Sequence, residues 1–124
     1  MNAIELAQKA YAPTQFPLKS HRAVEAQLIA QITARLRKAD ANRAENFPQL
    51  VAALHDNRQM WLTLAIDLAD EDNGLPDTLR AQLFALAQFT HTYTQNVLQN
   101  GVSAATLVDI NTAILRGLNQ SEAG

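Results

Sequence analysis

The chain contains no cysteine, which excludes disulfides, thiolate nucleophiles and cysteine-based zinc sites. Its glycines stand alone at 74, 101, 117 and 124, so no glycine-rich loop is available to cradle a phosphate. The histidines are also scattered. His21, His55 and His91 fall on three different predicted helices, without the i, i+3 or i, i+4 spacing that gathers metal ligands on one face. No apolar run approaches the roughly 18 residues a membrane span needs, and the opening MNAIELAQKAYAP lacks the apolar core of a secretory signal. Charged residues make up only 18% of the chain and sum to a formal −2, so there is no strong electrostatic footprint for nucleic acid. Asp70, Glu71, Asp72 and Asn73 crowd together but lack the spacing of a calcium loop, and they read as a solvated turn. A non-enzymatic cytoplasmic protein is expected, with no cofactor, metal or small-molecule substrate.

What the chain does have is helical periodicity. AVILMFWYC residues supply 48% of its 124 positions, as in an ordinary folded domain of common size. From Pro48 onward, Leu50, Leu54, Trp61, Leu64, Ala65 and Leu68 recur at steps of three and four, and Val51, Leu62 and Ile66 widen the stripe. So broad a face, carrying the only tryptophan, predicts a central helix of an all-α bundle. The helix stops at the polar run 70–74, and Leu75-Pro76 opens the next one, since proline in a first turn loses no intrahelical bond. Pro48 to Arg80 therefore reads as a helical hairpin.

The remaining elements follow the same logic. Ser20 caps a helix running to about Arg37 or Ala41, with Val24, Leu28, Ile32 and Leu36 as its ridge. The hairpin's second helix runs from Pro76 to Asn100-Gly101, a C-terminal stop. Leu79, Leu83, Leu86, Tyr93 and Val97 form one ridge on it, and Phe84, Ala87 and Leu98 form another, with Phe89 at the opposite edge. Apolar residues thus cover more than half its circumference, so it is either buried between two neighbours or keeps surface for a partner. Ser103 caps a last helix through about Leu118. The fold expected is a single small helical bundle, residues 1–124, of four main helices plus a short N-terminal helical arm. The arm, 1–18, is interrupted by Pro13 and Pro17 and either docks through Tyr11 and Phe16 or awaits a partner; the polar tail from Asn119 frays.

Four polar residues sit where packing alone would place apolar ones. Asn57 and Arg58 fall on the apolar arc of the central helix, Asn111 on that of the last, and Glu25 on that of the first long helix. Glu25 and Arg58 are complementary charges and are expected to pair between helices at the core edge. Asn57 and Asn111 are expected to be buried and hydrogen-bonded, to each other or to backbone. The plainer reading is a core amide and an arginine that reaches water along its own stem.

The motif Asn57-Arg58-x-x-Trp61-x-x-Leu64-Ala65-x-Asp67-Leu68-Ala69, then Asn73-x-Leu75-Pro76-x-x-Leu79-Arg80-Ala81, resembles the flagellar biosynthesis regulator FlaF family. Asn111-x-x-Ile114-x-x-Gly117-Leu118 is a second anchor, and the resemblance runs from Tyr11 to Leu118. It implies a role in flagellin synthesis and secretion opposite the companion regulator FlbT, with flagellin as the bound partner of a chaperone. Flagellin's terminal segments are amphipathic helices, and a small bundle could cover one in a groove. The surface expected to do so comprises Tyr11, Phe16, Phe84, Phe89, Tyr93 and Leu98. The alternative is a post-transcriptional regulator acting on flagellin mRNA, directly or through a partner such as FlbT. Its direct form rests on the cations Arg35, Arg37, Lys38 and Arg43, which have no aromatic platform beside them.

Overall fold

The computed structural model describes residues 21–123, with side-chain environments over 25–117. The described residues form four helices, α1 (His21–Ala41), α2 (Phe47–Ala69), α3 (Asp77–Asn100) and α4 (Ala105–Ala123), and contain no strand. Short connections make α1 and α2, and α2 and α3, antiparallel neighbours. α1 packs chiefly on α4 and on α2, and α2 packs on α3, whereas α3 makes only slight contact with α4. The expected N-terminal arm, with Tyr11, Phe16 and the Ser20 cap, lies outside the described residues.

Local chemistry sets each helix end. Asn46 caps α2 by accepting the Gln49 backbone N–H at 3.3 Å, and Pro48 sits in the first turn, where its missing N–H costs nothing. At the other end of α2 the last carbonyls would be orphaned. Residues beyond the turn satisfy them: the Asn73 amide donates to the Asp67 carbonyl at 3.0 Å, and Arg80 Nε donates to the Leu68 carbonyl at 2.9 Å. The Asp72 backbone N–H donates to the Asp70 carboxylate and holds its pKa below the usual carboxylate value. α3 ends at Gly101, whose φ of 71° is left-handed and favours glycine.

The main core lies where the C-terminal ends of α1 and α3 meet the N-terminal ends of α2 and α4. Leu36, Leu50, Leu54, Val97 and Leu107 are its largest buried apolar side chains, with Tyr93, Leu98 and Val102 packed against it. A polar clasp closes this end of the bundle. Asp40, at the end of α1, accepts the Ser103 hydroxyl at 2.8 Å, the Ala104 N–H at 3.1 Å and the Arg43 guanidinium at 3.1 Å. Arg43 also donates to the Val102 carbonyl at 2.8 Å. The α3–α4 turn is thereby fixed to the end of α1, while Ser103 itself accepts the Ala105 N–H, as a cap of α4 should.

The clasp and the more exposed Arg35–Asp56 pair, 2.8 Å, differ in what their loss would do. Asp40→Ala removes three acceptor contacts at a partly buried site and is expected to cost about 2 kcal/mol. Arg35→Ala removes a solvated ion pair and is expected to cost roughly 0–1 kcal/mol. Urea titration of the two variants checks the order; equal losses would show that the clasp is not structural.

Candidate functional site

Asn57 and Asn111 are both at 0% exposure. The Asn111 amide donates to Asn57 Oδ1 at 2.8 Å, and Trp61 Nε1 donates to Asn111 Oδ1 at 2.9 Å. Asn57 and Trp61 are four residues apart on α2, so one turn presents both toward Asn111 on α4. The α2 and α4 backbones scarcely approach each other, and this amide chain bridges them through the interior. Two buried polar atoms have no partner among the described residues: Asn57 Nδ2 and Thr90 Oγ1. Thr94, one turn along α3, donates to the Thr90 backbone carbonyl at 2.7 Å, a bond that does not involve the Thr90 hydroxyl.

The expected Glu25–Arg58 pair does not form. Arg58 Nε donates at 3.2 Å to Nδ1 of His91 on α3. Helix register explains the change. The Arg35–Asp56 contact sets α1 against α2, and from it Glu25 lies about 12 Å along the axis from the level of Arg58, at 1.5 Å rise per residue. Arg58 faces α3, whereas Asp56, on another side of α2, faces α1. Glu25 makes its own interaction elsewhere.

α2 also differs from the expectation of a fully used apolar stripe. Leu50, Leu54, Trp61 and Leu68 are buried, but Val51, Leu62 and Ile66 are exposed, the last two at 52% and 64%. These residues share the flank of α2 that carries Arg58. Between this flank and α3 runs a cleft of about 530 Å³, lined by Arg58, Gln59, Trp61, Leu62 and Ala65 from α2 and by 87, 88 and 90–92 from α3. A second depression, about 390 Å³, is bounded by residues of α3 alone and is surface relief on one helix.

The six residues expected to contact a partner do not form a single described surface. Tyr11 and Phe16 lie outside the described residues. Phe89 is exposed and stacks on Tyr93, with ring centroids 5.6 Å apart. Tyr93 is half-buried against the core and donates its hydroxyl to the Ser103 carbonyl at 3.2 Å. Leu98 is likewise half-buried against the core, and Phe84 is half-buried on the stripe of α3 that includes His91. Trp61, Leu62 and Thr90, which line the inter-helix cleft, read in the sequence only as packing positions. The signal was present in the excess width of the α2 stripe, but width alone does not show which edge is left open.

Compared with protein families, residues 7–118 match the family model described as flagellar protein FlaF. Comparison with curated proteins and with solved structures gives no match.

The direction of the amide chain predicts unequal effects of removing its two asparagines. Asn111→Leu leaves Trp61 Nε1 and Asn57 Oδ1 buried without partners, at roughly 1–3 kcal/mol each. Asn57→Leu strands only the Asn111 amide and removes an orphan that already exists, so it should cost clearly less. Urea unfolding followed by Trp61 fluorescence ranks the two; a larger loss in Asn57→Leu would overturn this order of donors and acceptors.

Proposed function

The chain belongs to the flagellar protein FlaF family, whose model covers residues 7–118, and on that premise we propose that it is a non-enzymatic, cytoplasmic flagellin-binding chaperone that promotes flagellin synthesis and export. Family membership is the observation that carries the reading. The molecule's surface supports it: Val51, Leu62 and Ile66 on α2 and Leu79 and Phe89 on α3 are large apolar side chains left in water. Scattered exposed apolar residues are ordinary, but a run along one helix flank beside a cleft suits an amphipathic helix. Flagellin's terminal segments supply such helices, and FlbT is the companion through which synthesis and export could be balanced.

The mRNA reading draws less support from the same surface. Of its four cations, Arg35 is paired with Asp56 and Arg43 is held by Asp40 and the Val102 carbonyl. Arg37 and Lys38 remain, both exposed at the end of α1. Two adjacent cations make a weak footprint for a polyanion.

Isothermal titration of the purified protein with flagellin tests the proposal. Saturable binding is expected with full-length flagellin, and its loss is expected when flagellin's terminal segments are removed. If full-length flagellin gives no binding while a flagellin leader RNA is retained, the mRNA reading takes its place.

A further inference from the structure

We infer that the cleft between α2 and α3 seats an amphipathic helix that places an apolar side chain over Trp61 and Leu62 and a carboxylate against Arg58. This inference rests on the flagellin-binding reading and assigns its contact site. Two features of the cleft converge on that occupant, and a third separates its surface from its floor. The first is shape and polarity: about 530 Å³ walled by Trp61, Leu62 and Ala65, with Leu62 52% exposed and Ile66, a turn beyond it, 64% exposed. An aliphatic side chain laid there would remove this surface from water.

The second feature is charge. The chain carries 12 acidic and 10 basic residues, yet among the described residues no carboxylate lines the cleft. Arg58 has no acidic partner among the described residues; its Nε donates only to His91 Nδ1. Arg35, Arg43 and Arg80, which do contact acids, sit away from the cleft. Donating through Nε alone, Arg58 keeps its terminal guanidinium nitrogens for an incoming carboxylate, which they match in fork geometry.

The third feature is the floor. Thr90 lines the cleft at 1% exposure, and its hydroxyl has no partner among the described residues. A buried hydroxyl without a partner is unfavourable to the free protein, and because its oxygen is closed to solvent no polar atom of the occupant reaches it; Thr90 belongs to the packing beneath the cleft and not to the contact surface. Thr90 therefore serves as an internal control: replacing its hydroxyl stabilises the bundle and leaves the contact surface intact.

The experiment is calorimetric titration of full-length flagellin into the full chain and its variants, with a thermal melt of each. Leu62→Asp is expected to weaken binding by about tenfold or more at an unchanged melting temperature, because the side chain is more than half exposed. Arg58→Gln is expected to weaken binding and to flatten its dependence on salt, since the screened ion pair is gone. Thr90→Val is expected to melt higher than wild type and to bind as wild type does. Leu28→Asp, at a comparably exposed apolar site on α1, is expected to bind as wild type. If wild type binds flagellin but Leu62→Asp and Arg58→Gln both match it, the cleft is not the site and the flagellin reading stands. If wild type does not bind flagellin, both fail together.

Discussion

The bundle depends on one buried constraint, the hydrogen-bonded run from Trp61 through Asn111 to Asn57. Each of these bonds adds only about 0.5–1.5 kcal/mol net, since folding exchanges them for bonds to water. Their larger effect is against alternatives. Sliding or rotating α2 relative to α4 by one residue would bury an indole N–H and two amides with nothing to meet them. Apolar neighbours tolerate such shifts far better, because hydrophobic contact has no direction. Buried amides fix register for the same reason in other helical assemblies. In this bundle they hold together two helices whose backbones hardly approach.

Register then decides the fate of the neighbouring residues. With Asn57 and Trp61 turned inward, Arg58 and Leu62 are carried to the next flank of α2, facing α3 and solvent. Arg58 meets His91, and Leu62 stays exposed beside the cleft. The same turn of helix that specifies the core thus sets out the proposed contact surface, with Trp61 belonging to both. At the end of the bundle where α2 begins, the Asp40–Arg43 clasp holds the α3–α4 turn to α1. The end with the larger apolar core also carries the tighter polar ties, and the cleft lies toward the middle of the α2–α3 pair.

Much of this was legible in the amino-acid order. Pro48 in the first turn of α2, Pro76 at the N-cap of α3, the polar run 70–74 and the stop at Gly101 each act through local chemistry, so they can be read without neighbours. Asn57 and Asn111 were conspicuous because an amide on an apolar arc needs a partner, and each is the other's. Arg58 was conspicuous for the same reason, but its partner depends on the axial offset between α1 and α2, which no single helix records. The exposure of Val51, Leu62 and Ile66 depends on how many helices surround α2. Asp40 looked like one more polar residue at a helix end. Its role emerges only once the α3–α4 turn, more than sixty residues later, is placed beside it.

Amide hydrogen exchange with and without flagellin tests most directly whether α2 and α3 carry the contact surface. Bound flagellin should slow exchange across 58–66 of α2 and 84–92 of α3, where opening of either helix would now also require release of the partner. α1 and the clasped α3–α4 turn should exchange as before. Protection confined to α1 and α4, with the α2–α3 flank unchanged, would contradict this placement.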